Sequence, residues 1–197
     1  SGLERGSIKG VVRIPEASST LLGIASRQTR TKTQEKEMII TLNEAEIRLA
    51  AFVGKKRHLC SRANGIVDKQ CGDQDKFQID IDGCMGEIAL CKYLNIYPDL
   101  DAKPVGQATD RGDCEYRGLA IDVKTTRYKT GRLPCALWKN NLVDVYVLMI
   151  ADGSSSLRCA GWAYPAELKR QENIKDLGRG ELYIMEQHQL LDIQTLI

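Results

Sequence analysis

The sequence predicts an α/β protein with a central mixed β-sheet flanked by helices, and three features predict it. A capped amphipathic segment opens at Asn43, a continuous apolar run LVDVYVLMI covers 142–150, and GDCEYRGLAIDVKTT at 112–126 reads as a hairpin between them. Helical and extended periods thus follow one another along 197 residues, a length that suits one core.

In chain order, residues 1–40 form a poorly defined N-terminal extension and 41–197 a single domain. IKGVVRI in the extension has the composition of a strand, whereas SSTLLGIASRQTRTKTQEK turns polar and basic with weak periodicity. Asn43 with Glu46 makes a capping box, and Ile47, Ala50, Ala51 and Gly54 recur at helical spacing. A helix is therefore expected to about Ala63, where Asn64-Gly65 stops it. Residues 66–80 are polar and read as a loop. A second helix is expected from Asp82 or Gly83 through GCMGEIALCKYLNI. Its buried face is either Glu87, Leu90, Cys91 and Leu94, or Met85, Ile88 and Ala89 with Glu87 at the edge.

PDLDAKPVGQATDRGD then reads as a loop, and two short strands flank Arg117-Gly118. The run at 142–150 has the β-branched, unbroken apolar character of a strand buried on both faces. SLRCAGWA is its expected antiparallel neighbour across the Asp152-Gly153 turn, and Pro165 opens a short helix. ELYIMEQ suggests a last strand or edge, and HQLLDIQTLI a closing helix or extended tail.

Composition narrows the function. Hydrophobic residues make up 43% and charged residues 27%, values of an ordinary globular chain, which excludes disorder throughout. A net charge of +2 excludes a strongly basic body, so an acidic partner must be met by local patches. Lys55, Lys56, Arg57 and Arg62 form one, Arg27, Arg30, Lys32 and Lys36 another, and Arg127, Lys129 and Arg132 a third. Solvated faces are the plain alternative for each. The seven cysteines show no disulfide framework and suit a reducing compartment. No window approaches the roughly 20 apolar residues of a membrane span, so a cytoplasmic protein is expected.

The hairpin carries the chemistry. A two-residue turn at Arg117-Gly118 pairs 116 with 119, 115 with 120 and 114 with 121, and continues to Asp113 opposite Asp122. Strand alternation puts Lys124 and Glu115 on the same face as these two aspartates. Facing like charges are destabilising. A hard divalent cation offsets them, because Mg²⁺ takes one or two carboxylates with waters and substrate phosphates, and the Val123 carbonyl could join. On this reading, neutralising Asp122 leaves the fold intact and raises the melting temperature of the metal-free protein. A surface ion-pair cluster is the competing reading of the same residues.

Asp113, then Asp122-Val123-Lys124, preceded by Glu87 on a helix, resembles the PD-(D/E)XK nuclease superfamily. The likeness covers about residues 80–165, and LVDVYVLMI with GWAYPAEL is similar to small phage-type and resolvase-like members. It implies a restriction-endonuclease-like core and metal-dependent hydrolysis of DNA phosphodiester bonds, as an endonuclease. Asp113 and Asp122 would bind Mg²⁺ or Mn²⁺. Glu87 would bind a second metal or orient the nucleophile through water, and Lys124 would position or help deprotonate that water. Lys55, Lys56, Arg57, Arg127, Lys129 and Arg132 would track the DNA backbone. A homodimer, and the host cytoplasm for a phage-encoded protein, follow by analogy.

Two departures stand out: Gly112 replaces the proline of the motif, and the Gln-x-x-x-Tyr signature of RecB-like members is missing after Lys124. The alternatives are a non-catalytic nucleic-acid-binding protein on the same fold and a zinc module of His58, Cys60, Cys71 and Cys84. His188 reads as structural or solvated. Trp138 and Trp162 read as core or sheet-face aromatics, although Trp138 beside Lys139 could touch a nucleic-acid strand.

Overall fold

Asn43 starts the first helix as its spacing predicts. The Asn43 N–H donates to Glu46 Oε2 at 2.7 Å and the Glu46 N–H to Asn43 Oδ1 at 2.9 Å, which satisfies two donors a helix start leaves open. The computed structural model describes residues 37–63, 65, 75–102, 112–139, 142–178 and 180–197. Helix α1 (Glu44–Ala63) buries Ala50, Val53, Gly54 and His58. A Cβ on Gly54 would lie 2.8 Å from Asp80 O and Ile81 Cα, so this glycine lets the second helix approach to backbone contact.

That helix, α2, spans Lys76–Leu94 and begins nearly two turns before the expected start. Asp75 is the reason: its side chain accepts from the N–H groups of Phe77 and Gln78 and caps the helix inside what reads as a polar loop. Asn95, left-handed at φ 54°, closes the other end. Cys84 to Cys91 and Leu94 are all buried. The two alternative buried faces are therefore both buried, as happens to a helix packed on more than one side.

The main sheet has the order β1-β6-β5-β3-β2, with β1 at Ile39–Thr41, β2 at Cys114–Tyr116 and β3 at Leu119–Thr126. Strand β4 is Leu133–Ala136, β5 is Val145–Ala151 and β6 is Ser156–Ala163. Strands β3 and β5 run parallel and the other neighbours antiparallel, so the sheet is mixed. Every residue of β5 is buried, as its apolar run predicts. The β1 strand straddles the expected boundary at residue 40. IKGVVRI, residues 66–74 and residues 103–111 lie outside the described residues.

A second sheet, β4-β8-β7, is the main departure from the sequence reading. It is antiparallel, with β7 at Ile174–Asp176 and β8 at Glu181–Met185. ELYIMEQ thus supplies the middle strand of a second sheet and not an edge of the first. HQLLDIQTLI closes in two 3₁₀ turns, held by a Trp162–Leu191 bridge and by Trp162 Nε1 donating to Asp192 O at 2.9 Å. After Pro165 a short helix, α3, runs to Leu168.

The two faces of β5 belong to two cores. Val145, Val147 and Met149 pack with α1 and α2, whereas Tyr146, Leu148 and Ile150 pack with Leu133, Cys135, Leu168 and Met185. Among the described residues no helix is long and apolar enough to cross a membrane.

Candidate active site

The hairpin has the expected register up to a point. Tyr116 pairs with Leu119, Glu115 with Ala120 and Cys114 with Ile121 around a turn whose Arg117 and Gly118 have φ of 51° and 80°. Pairing stops there. The Asp113 N–H donates to Ile121 O at 2.7 Å, and the Asp113 carboxylate accepts the Val123 N–H at 2.6 Å, where a continuing strand would have placed its backbone. Asp113 is therefore not the cross-strand partner of Asp122, which corrects the sequence expectation.

Gly112 explains the bend. Its φ is +85°, and a Cβ there would lie 2.5 Å from Ile121 O. Proline, fixed near −65°, cannot occupy this position.

Asp122 pairs with Tyr146 across the parallel β3–β5 ladder and is 1% exposed. Both its oxygens are met by lysines: Lys124 Nζ on Oδ1 and Lys139 Nζ on Oδ2. Burial pushes its carboxyl up, but the two ammonium groups outweigh burial and hold it below the ordinary aspartate range. Lys124 in turn is held above its ordinary value, burial being outweighed by Asp122 and Asp113. The offset to this buried charge is thus already within the chain.

Glu87 comes from the opposite side, on α2. It is 8% exposed, and Arg57 of α1 grips it with Nη1 at 2.8 and 2.6 Å from its two oxygens. Arg57 also bonds the carbonyls of Asp99 and Asp101, so it is a fixed part of the site wall. Burial and then the Asp113 carboxylate push Glu87 up to about 8, against the pull of Arg57. Asp113 is raised as well, by burial and by Asp122.

The result is a row of three acids, Glu87 and Asp122 buried and Asp113 half-buried between them, with Arg57 at one end and Lys124 and Lys139 at the other. Asp113 in the middle has no ion pair among the described residues and stands between two other carboxyl groups. A cation beside Asp113 and Asp122 would relieve what raises their neighbours. Among the described residues no three His, Cys, Asp or Glu side chains converge as a metal-holding group. Asp113 and Asp122 are the carboxylates a hard cation such as Mg²⁺ or Mn²⁺ would use, and both oxygens of Asp122 here carry Lys124 and Lys139. The Val123 N–H faces the edge of β3 that β2 has left, and its carbonyl faces the same way.

The six expected DNA-tracking cations divide. Lys55, Lys56 and Lys129 are exposed. Arg57 is spent on Glu87, Arg127 on Asp82 at 2.5 and 2.9 Å, and Arg132 on Glu186 at 3.0 Å. The last two side chains stay exposed while they make these pairs.

The zinc set does not assemble among the described residues. His58 Nδ1 lies 2.7 Å from Asp80 Oδ2, and burial and Glu87 push the Cys84 thiol up to about 12; Cys71 lies outside the described residues. Cys84, Cys91, Cys114, Cys135 and Cys159 are free thiols.

Lys139 was not among the expected site residues. Nothing in the spacing marks it, because it lies 15 residues beyond Lys124 and reaches Asp122 only through the turn after β4, a strand whose LPCA sequence has no strong alternation.

Fold and site together define an α/β protein with an acid row, closed by an arginine and two lysines, on a mixed sheet. The chain belongs to the family of unknown function DUF5843, which it matches over residues 37–164, about two thirds of its length. That span runs from β1 to the end of β6 and contains every residue of the row. No curated protein and no solved structure matches the chain.

Proposed function

We propose that the protein is a metal-dependent nuclease that hydrolyses DNA phosphodiester bonds, an endonuclease built on a restriction-endonuclease-like core. The observation that carries this reading is Asp113, a half-buried carboxylate without an ion pair among the described residues, set between Glu87 and Asp122 while Lys124 rests on Asp122. Four residues separated by up to 37 positions stand near one another, which supports the resemblance to the PD-(D/E)XK pattern. Buried acids raised by one another are a mark of functional sites.

In this reading Asp113, Asp122 and the Val123 carbonyl would hold Mg²⁺ or Mn²⁺, which would supply charge against the developing negative charge on the phosphate oxygens. Lys124 Nζ orients the attacking water and helps move its proton. Glu87, with its oxygens fixed by Arg57, holds a second ion or orients that water through another.

A second reading is binding of nucleic acid without catalysis. It draws support from Asp122 and Glu87 each having cationic partners within the chain, so that the fold stands without an ion. Mn²⁺ binding followed by electron paramagnetic resonance separates the two. Asp113→Asn and Asp122→Asn should lose the bound ion, while Lys124→Met should keep it and lose DNA cleavage by about 100-fold or more. A parent protein that takes up no Mn²⁺, or a Lys124→Met protein that cuts as fast as the parent, would overturn the nuclease reading.

A further inference from the structure

Lys139 closes a turn after β4 whose backbone is fastened twice: its N–H donates to Ala136 O at 3.1 Å and its carbonyl accepts Lys169 Nζ at 2.8 Å. Its side chain rests on Asp122. Lys169 also stands 5.8 Å from the Tyr146 ring centroid, the residue paired with Asp122. Lys124 and Lys139 thus rest on Asp122, and Lys169 fastens the backbone that carries Lys139.

The residue before Lys139 is Trp138, 73% exposed, with no ring contact and no hydrogen bond among the described residues. Trp162, the other tryptophan, shows what a structural indole does here. It is 3% exposed and its Nε1 bonds Asp192 O and Thr195 Oγ1. Trp138 has no such task. The expectation that it lies in the core or on a sheet face is corrected: a fixed turn holds a large apolar ring in solvent, one residue from a side chain on Asp122. A free aromatic face is what proteins offer to the unpaired bases of a single strand.

We infer that Trp138 is a stacking platform for an unpaired nucleobase, so that the DNA handled at the Asp122 site is single-stranded or locally unpaired beside the bond to be cut. In a duplex both faces of an internal base are already covered by its neighbours, and an exposed indole gains little from it. The inference takes the identity of its ligand from the nuclease reading, but its test does not depend on cleavage.

The test is tryptophan fluorescence of the full chain in EDTA, titrated with an unlabelled oligo-dT of about 16 nucleotides and with a blunt duplex of equal length. The expected result is saturable quenching by the single strand, at least several-fold tighter than by the duplex. Trp138→Ala should weaken single-strand binding about 5- to 150-fold by competition, and Trp138→Phe should retain most of it. Absence of quenching, equal or tighter binding of the duplex, or Trp138→Ala binding within twofold of the parent would overturn the inference. Should the quenching appear as expected while the parent cuts no DNA with Mg²⁺ or Mn²⁺, the stacking site stands and the nuclease reading falls.

Discussion

Replacing Asp122 by asparagine should destabilise the metal-free protein, the reverse of what the facing-aspartate reading expects. The side chain is 1% exposed and neutralises Lys124 and Lys139, whose own side chains are 29% and 24% exposed. Removing one member of a buried ion pair costs about 3–5 kcal/mol, because the partner charge stays behind. Here water reaches both lysines and reduces that cost, so about 2–3 kcal/mol is expected. For a protein of this length that is a fall of roughly 4–12 °C in melting temperature.

The sign with pH follows from the depressed Asp122 carboxyl. Its stabilisation is complete above the unfolded aspartate value of about 3.9 and is lost as pH falls through the folded one. The difference between parent and Asp122→Asn should thus be full at pH 7 and shrink in strong acid. Asp113→Asn should do the opposite at pH 7, because burial and Asp122 raise that carboxyl while asparagine can still accept the Val123 N–H. Thermal melts of the three proteins in EDTA decide the matter. An Asp122→Asn protein as stable as the parent, or an Asp113→Asn protein that melts well below it, would refute the assignment of charges along the row.

Three further outcomes follow from the same geometry. Glu87 is raised from 4.5 to about 8, so the apo protein should lose stability as pH climbs across that interval. At about 1.4 kcal/mol per unit the loss is a few kcal/mol at most; Glu87→Gln should flatten it, as denaturant melts at several pH values would show. Asp82→Ala should cost about 2–3 kcal/mol in urea unfolding, since it strands Arg127 and opens the clamp between α2 and the residue after β3. Gly112→Ala should lower both cleavage and melting temperature, because its Cβ would strike Ile121 O at 2.5 Å and shift Asp113; wild-type behaviour in both would show that the bend is not needed.

Much of this arrangement was legible in the residues. The capping box at Asn43, the buried run of β5 and the hairpin register to Cys114–Ile121 are local signals, each written within a few neighbouring residues. What was hidden is non-local. Asp75 starts α2 inside a polar stretch, where capping chemistry and loop composition look alike. Strand β8 finds its partners in β4 and β7, and no periodicity announces a second sheet made of short strands. At the site, Glu87, Asp113, Asp122 and Lys124 are visible as a pattern, yet their partners are not. Arg57 looked like a surface cation because its sequence neighbours Lys55 and Lys56 are exposed, and Lys139 because nothing local ties it to Asp122. The bend at Asp113 depends on Gly112 having a positive φ, a freedom that the letter G permits without stating.

The most direct test of the nuclease reading is cleavage itself. Duplex, single-stranded, flap and branched DNA are incubated with Mg²⁺ and with Mn²⁺, the parent beside Asp122→Asn. The reading predicts that the parent cuts at least one of these forms, most readily one with unpaired nucleotides, and that Asp122→Asn, confirmed folded by its melt, cuts none. A parent that cuts no form with either metal, or an Asp122→Asn protein that cuts as fast, would contradict it.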